Sequence, residues 1–182
     1  MTTLIIAGET VFLLPFVVPR IFRPTLLDVF SLNNLELGIA FSVYGIVAMF
    51  AYFAGGPLAD RFSARRLMAM ALLTTSLGGI VLASTPPLSV LMWLYGFWGL
   101  TTILLFWAAL IRATREWGGA SSQGLAYGIL DGGRGLVAAL LASISVAIFA
   151  ALLPIDPSLA TLTQRTAALT QVIWIFTGFV VF

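Results

Sequence analysis

The sequence predicts an all-α, polytopic membrane bundle of about six transmembrane helices. Three observations predict it. Hydrophobic residues make up 60% of the 182 and charged residues only 9%. A soluble domain carries about 25% charged residues, so this surface cannot be made compatible with water. Six apolar runs reach or approach the roughly 20 residues that cross a ~30 Å hydrocarbon core. The connectors between them are short and carry turn chemistry, which reads as one membrane domain of packed helices.

The first span runs from about Leu4 to Leu27. It has no basic n-region and no small-residue cleavage site, and it carries Glu9, so it is a span and not a signal peptide. Pro15 and Pro19 each remove a backbone donor and are expected to bend it. Ser31-Leu32-Asn33-Asn34 leads to the second span, Leu37 to Gly56, and Pro57 to Arg66 leads to the third, Leu67 to Ser84. Pro86-Pro87 opens the fourth span, Leu88 to Ile111. Arg112 to Gly124, with Gly118-Gly119 inside it, leads to the fifth, Leu125 to Leu153. Pro154-Ile155-Asp156-Pro157 opens the last connector, and the sixth span, Ala167 to Phe182, has 16 residues. That is short of a full crossing, and the chain is expected to be truncated at its C-terminus.

The ionisable residues exclude several function classes. The chain has no Cys and no His, which removes thiol nucleophiles, disulfides, the commonest metal ligand and the commonest general base. No catalytic residues, metal or other cofactor are expected, and the protein is not read as an enzyme. A net charge of +2 points to no nucleic-acid partner. The nine basic residues are all Arg. Arg61, Arg65, Arg66, Arg112 and Arg115 follow spans two and four, against Arg20, Arg23 and Arg165 on the other side. The positive-inside rule then makes the loops after spans two and four cytoplasmic. Trp93 is expected at the outer interface, with Trp107 and Trp117 at the inner one.

An ionisable side chain inside a span costs about 2.5–3.5 kcal/mol on insertion scales, which makes each one a site candidate. Four sit well inside: Glu9, Arg20, Asp131 and Arg134. Asp131 and Arg134 are three apart and share a helix face, so they either neutralise each other or hold a solute together. The fork of an Arg suits a carboxylate or phosphate. Glu9 and Arg20 are separated by about 16 Å of helix and do not pair. Arg20 either snorkels to the outer interface with Arg23 or draws anions into a cavity. Glu9 is a candidate proton-coupling acid. Gly124, Gly128 and Gly132 form a stripe on span five where another helix is expected to pack. Trp98 in span four and Tyr44 in span two are the aromatic candidates for gripping a solute.

The segment between spans two and three reads Gly55-Gly56-Pro57-Leu58-Ala59-Asp60-Arg61-Phe62-Ser63-Ala64-Arg65-Arg66. Positive-inside topology accounts for its Arg residues but not for their order. The order resembles the signature loop of the major facilitator superfamily, Gly-x-Leu-Ala-Asp-Arg-x-Gly-Arg-Arg. Gly56, Leu58, Ala59, Asp60 and Arg61 match. Ser63 stands where the family has Gly, and Ala64 departs before Arg65-Arg66. The resemblance implies half of a twelve-span transporter, with a second six-span half missing from this chain. It implies a conformational gating role for the loop, with Gly56, Asp60, Arg61, Arg65, Arg66 and the nearby Arg112 as its residues. Asp60 would brace the outward-facing state and, without a second half, pair locally with Arg65 or Arg112. A weaker likeness, Gln123-Gly124 followed by the Asp131–Arg134 patch, resembles span five of the organophosphate:phosphate antiporter branch and implies that Arg134 contacts substrate.

The expected function is secondary transport of a small solute, an organic anion, across a bacterial inner membrane by rocking of two bundles about a midplane site. A proton or a counter-solute is the expected coupling partner. The alternative is a six-span remnant or accessory subunit that packs in the lipid bilayer without transporting.

Overall fold

The structure, a computed structural model, describes residues 1–154 and 159–181. Most of the Pro154-Ile155-Asp156-Pro157 connector and the terminal Phe182 lie outside the described residues. The helices are α1 (Thr2–Thr10), α2 (Val18–Ile21), α3 (Arg23–Val29), α4 (Asn34–Arg61), α5 (Ala64–Ala83), α6 (Leu88–Gly99), α7 (Ala108–Gly118), α8 (Gln123–Ala151) and α9 (Leu162–Val181). Wider π-helical segments at Leu13–Val17 and Leu100–Trp107 join α1 to α2 and α6 to α7. The described residues contain no strand, so the fold is an all-α membrane bundle.

Four units are long and apolar enough to cross a membrane: α4, α5, the 31-residue run Leu88–Gly118, and α8. The bent N-terminal pair is a fifth. The expected sixth span corresponds to α9, which has 20 residues, not the 16 of its apolar run, and Gln164, Arg165 and Gln171 keep it below the hydropathy of the four spanning units.

Several helices outrun their apolar stretches, because hydropathy marks what lipid accepts whereas caps fix helix ends. Asn33 accepts a hydrogen bond from the Glu36 amide at 3.0 Å, and Glu36 accepts one from the Asn33 amide at 2.8 Å. This reciprocal box starts α4 ahead of the expected Leu37. Thr161 and Gln164 make a similar exchange ahead of α9. Helix α4 continues through Pro57 to Arg61, so the expected loop shrinks to a turn at Phe62-Ser63, with Arg65 and Arg66 already in α5. Helix α7 runs to Gly118 and stops at Gly119, whose φ of 60° suits a residue without Cβ.

The first span bends as its prolines require. The angle between Thr2–Thr10 and Leu13–Ile21 is 47°. The break lies at Val11-Phe12, where Pro15 withholds the donor that the Val11 carbonyl would use four residues on. Pro19 does the same to the Pro15 carbonyl. That carbonyl is satisfied from another helix, by the Tyr95 hydroxyl at 3.0 Å.

Packing is divided between two clusters. The larger joins Leu13, Leu14, Phe22, Leu37, Trp98 and Phe176. The second, toward the Arg-rich end, joins Val11, Leu67, Phe106, Leu110 and Leu130. Helix α9 packs on α5, where Gly79 leaves room for Thr177. The glycine stripe of α8 does not pack within the chain: a Cβ at Gly124, Gly128 or Gly132 would meet nothing within 4 Å. The close approach is made by Gly133 instead, where a Cβ would lie 2.6 Å from Ile5 of α1. Only 11% of the apolar stretch of α8 is buried, against 61% for Leu88–Gly118, so α8 turns most of its surface away from the bundle.

Candidate functional site

The first span, α4, the second π segment and α8 line an open cavity of about 510 Å³. The first span supplies Glu9 and Arg20 together with Phe12 and Phe16; α8 supplies Arg134. Helix α4 contributes Tyr44, Ala48 and Tyr52, spaced by four so that they share one face. The π segment contributes Ile103 and Trp107. Its wider turn sets a register that a regular α-helix would not.

Arg134 is the most constrained cation in the cavity. Its Nε donates to the Gly8 carbonyl at 3.1 Å and lies 3.6 Å from a Glu9 carboxylate oxygen. The Glu9 contact is an ion pair too long for a hydrogen bond. Gly8 permits the approach, since a Cβ there would lie 3.1 Å from the Arg134 Cδ. The guanidinium carbon sits 5.7 Å from the Phe12 ring centre and 5.5 Å from that of Trp107, within reach of cation–π attraction. Glu9 and Arg134 are 12% and 18% exposed, so water screens the pair weakly. Arg20 lines the same cavity and makes no ion pair among the described residues. Glu9 and Arg20 therefore share the cavity without forming a pair.

Two of the expected substrate contacts lie elsewhere. Asp131 is on the Arg134 helix face, 3.5 Å from Nη1, but its side chain is 71% exposed and outside the cavity lining. Trp98 has no exposed surface. Its indole N–H donates to the Thr75 carbonyl at 3.1 Å, and its ring covers Gly78, so it is a packing element. Tyr44 both lines the cavity and shares a 2.7 Å hydrogen bond with Thr102. Trp107, expected at the inner interface, faces Phe12 with ring centres 6.2 Å apart and covers Arg134. Tyr52 was legible from its spacing to Tyr44; Phe12 and Phe16 carried no signal apart from other apolar residues.

At the Arg-rich end, Asp60 is exposed and pairs with neither Arg65 nor Arg112. Arg112 is bound instead to Glu116 at 2.7 Å and donates to the carbonyls of Ala59 and Phe62, capping the C-terminus of α4. A Cβ at Gly56 would meet nothing within 4 Å. Gly55 makes the close contact, 3.4 Å from the Leu104 carbonyl for an added Cβ. Among the described residues no three His, Cys, Asp or Glu side chains gather as a metal site would need.

The bundle and its cavity define a polytopic helical membrane protein with an open, largely apolar cavity among its spans that carries Glu9, Arg20 and Arg134. The chain belongs to the Major Facilitator Superfamily, whose family model matches residues 3–182. Two curated relatives from Escherichia coli (strain K12) are similar to it over 146 residues. Inner membrane protein YqcE is 32% identical and inner membrane protein YihN 27% identical, each over 80% of this chain. The matched region spans 34% of each relative's length, so the chain covers about a third of the proteins it resembles. The chain is a multi-pass membrane protein, placed in the inner membrane with these relatives. No solved structure matches it.

Proposed function

We propose that this chain is the first six-span half of a secondary transporter that moves a small organic anion by alternating access. One observation carries the reading: Arg20 is an unpaired cation in a cavity whose other cation, Arg134, is already held by Glu9 and Gly8. An arriving carboxylate or phosphate meets the exposed Arg20 first and gains charge-assisted hydrogen bonds from its guanidinium. Tyr44 and Tyr52 offer hydroxyls from the facing wall. A second six-span half completes the cavity and lends Asp60 the partner it lacks here, so that Asp60, Arg61 and Arg112 act at the gate. The loops after spans two and four face the cytoplasm in this arrangement. The likeness to the organophosphate:phosphate antiporter branch makes phosphate esters the first solutes to try. Coupling runs through a counter-solute, or through a proton on Glu9, whose protonation would release Arg134.

The test is solute counterflow into proteoliposomes with the full-length protein and a panel of phosphate esters and carboxylates. Uptake of at least one anion is expected, with Arg20→Gln lowering it tenfold or more (about 1.4 kcal/mol) at unchanged expression. Wild-type uptake by Arg20→Gln would remove Arg20 from the site. Transport of neutral solutes alone would overturn the anion reading.

A further inference from the structure

The cavity wall holds a chain of hydroxyl groups whose protons can be counted. The Thr102 Oγ1, in the second π segment, lies 2.6 Å from the Trp98 carbonyl oxygen and 2.7 Å from the Tyr44 hydroxyl. Two oxygens that close need a proton between them. A carbonyl brings none and a threonine hydroxyl brings one, so the Thr102 proton goes to Trp98. The proton between Thr102 and Tyr44 is then the phenolic one. We propose that Tyr44 serves the cavity as a hydrogen-bond acceptor alone, and that the solute is an organic anion that also carries a hydroxyl group, which donates to the Tyr44 oxygen. This rests on the anion reading above and narrows it.

Burial holds the order of the protons. Thr102 and Thr75 have no exposed surface and Thr101 has 3%. Thr75 donates to Thr101 at 2.7 Å, and Thr101 turns to the same Trp98 carbonyl at 3.4 Å. Thr102 can therefore exchange its partner with neither water nor its neighbour. The Tyr44 hydroxyl makes no other hydrogen bond among the described residues, which leaves a lone pair on a residue that lines the cavity. A phosphate or carboxylate oxygen would meet that lone pair with its own, so the anionic end is directed to Arg20. Phe16 packs edge-on against Tyr44 with ring centres 4.8 Å apart, and Arg20 follows Phe16 by one turn, about 6 Å along the span. A cation and a neutral acceptor thus occupy adjoining levels of one cavity. Glu9, the carboxylate of the lining, is engaged by Arg134, so an ammonium finds no counter-ion and a hydroxyl is the donor that fits. An acceptor left without its donor favours the hydroxylated solute over an analogue that lacks the group.

The experiment is calorimetric titration of the purified full-length protein with matched anions. The phosphates are propyl phosphate, 2-hydroxypropyl phosphate and 2-oxopropyl phosphate; the carboxylates are butyrate, 3-hydroxybutyrate and acetoacetate. The oxo compounds accept hydrogen bonds and do not donate them. In the wild type, the hydroxyl compound of at least one series is expected to bind about tenfold more tightly than both of its analogues, the worth of one net hydrogen bond. Tyr44→Phe keeps the ring and is expected to bring the three within about twofold of one another. Thr102→Val frees the Tyr44 proton, so the oxo compound is expected to rise to within about twofold of the hydroxyl compound, while Thr102→Ser keeps the wild-type order. An oxo compound that binds the wild type as well as the hydroxyl compound would overturn the proposal, as would a hydroxyl preference that survives Tyr44→Phe. An unchanged order in Thr102→Val would overturn the proton assignment on which it stands. Binding of the anions without regard to the hydroxyl would overturn this proposal and leave the anion reading standing, whereas binding of none of the six would overturn both.

Discussion

Glu9 and Arg134, 125 positions apart in the sequence, hold α1 against α8 through an ion pair of 3.6 Å. Both side chains are more than four-fifths buried, and Arg134 is further fixed by the Gly8 carbonyl and two aromatic rings. Removing one partner leaves a charge stranded in a poorly hydrated place. Glu9→Gln and Arg134→Gln are each expected to cost about 2 kcal/mol in thermal unfolding in detergent. The double variant is expected to cost less than their sum by about 1 kcal/mol or more. Additive costs would mean that the two charges do not sense each other.

The Arg112 guanidinium performs for α4 what a C-terminal glycine performs for other helices. It donates to the carbonyls of Ala59 and Phe62 from α7, which also fastens the two spans at this end. Arg112→Ala is expected to raise amide exchange over residues 59–62 and to cost about 1 kcal/mol. Glu116→Gln removes only an exposed partner and is expected to cost about 0.5 kcal/mol or less. Equal exchange in Arg112→Ala and the wild type would show that the turn holds without the cap.

The glycines of α8 divide into two kinds that one substitution separates. Alanine at Gly128 gains helix propensity, up to about 1 kcal/mol, and meets nothing within the chain. Alanine at Gly133 places a methyl 2.6 Å from the Ile5 side chain and 2.9 Å from another of its carbons, an overpacking that costs about 1–3 kcal/mol. Gly133→Ala should therefore lower the unfolding temperature and Gly128→Ala should not. If Gly128→Ala instead destabilises the full-length protein, a helix outside this chain packs on the stripe.

What the sequence reveals of this site follows from what burial costs. Charges inside apolar runs are expensive, so Glu9, Arg20 and Arg134 were legible as candidates one by one. That Glu9 meets Arg134 was not, because it depends on the crossing of α1 and α8, and Asp131 three residues away looked the nearer partner. The stripe at Gly124, Gly128 and Gly132 misled because periodic glycines mark a smooth face without saying what covers it, while the contact glycine, Gly133, sits outside the period. The π segment at Leu100–Trp107 has no sequence signature and resets the direction of Trp107. Spans were legible to within a few residues, and their ends were hidden in caps such as Asn33 and Glu36, which lie beyond the apolar runs.

The hydrogen bond from Tyr95 to Pro15 makes a last prediction about the bent first span. Pro19 cannot donate to the Pro15 carbonyl, and Tyr95, with 1% of its surface exposed, supplies the missing proton from α6. Tyr95→Phe keeps the ring and removes that donor, leaving a buried carbonyl unpaired at a cost of about 1–3 kcal/mol. Pro19→Ala restores a backbone N–H that can bond the same carbonyl from within the helix. Tyr95→Phe should then be well tolerated in the Pro19→Ala background and poorly tolerated alone. The double-variant cycle, read by thermal unfolding, decides this. If Tyr95→Phe costs the same in both backgrounds, the hydroxyl serves something other than the carbonyl that Pro19 leaves open.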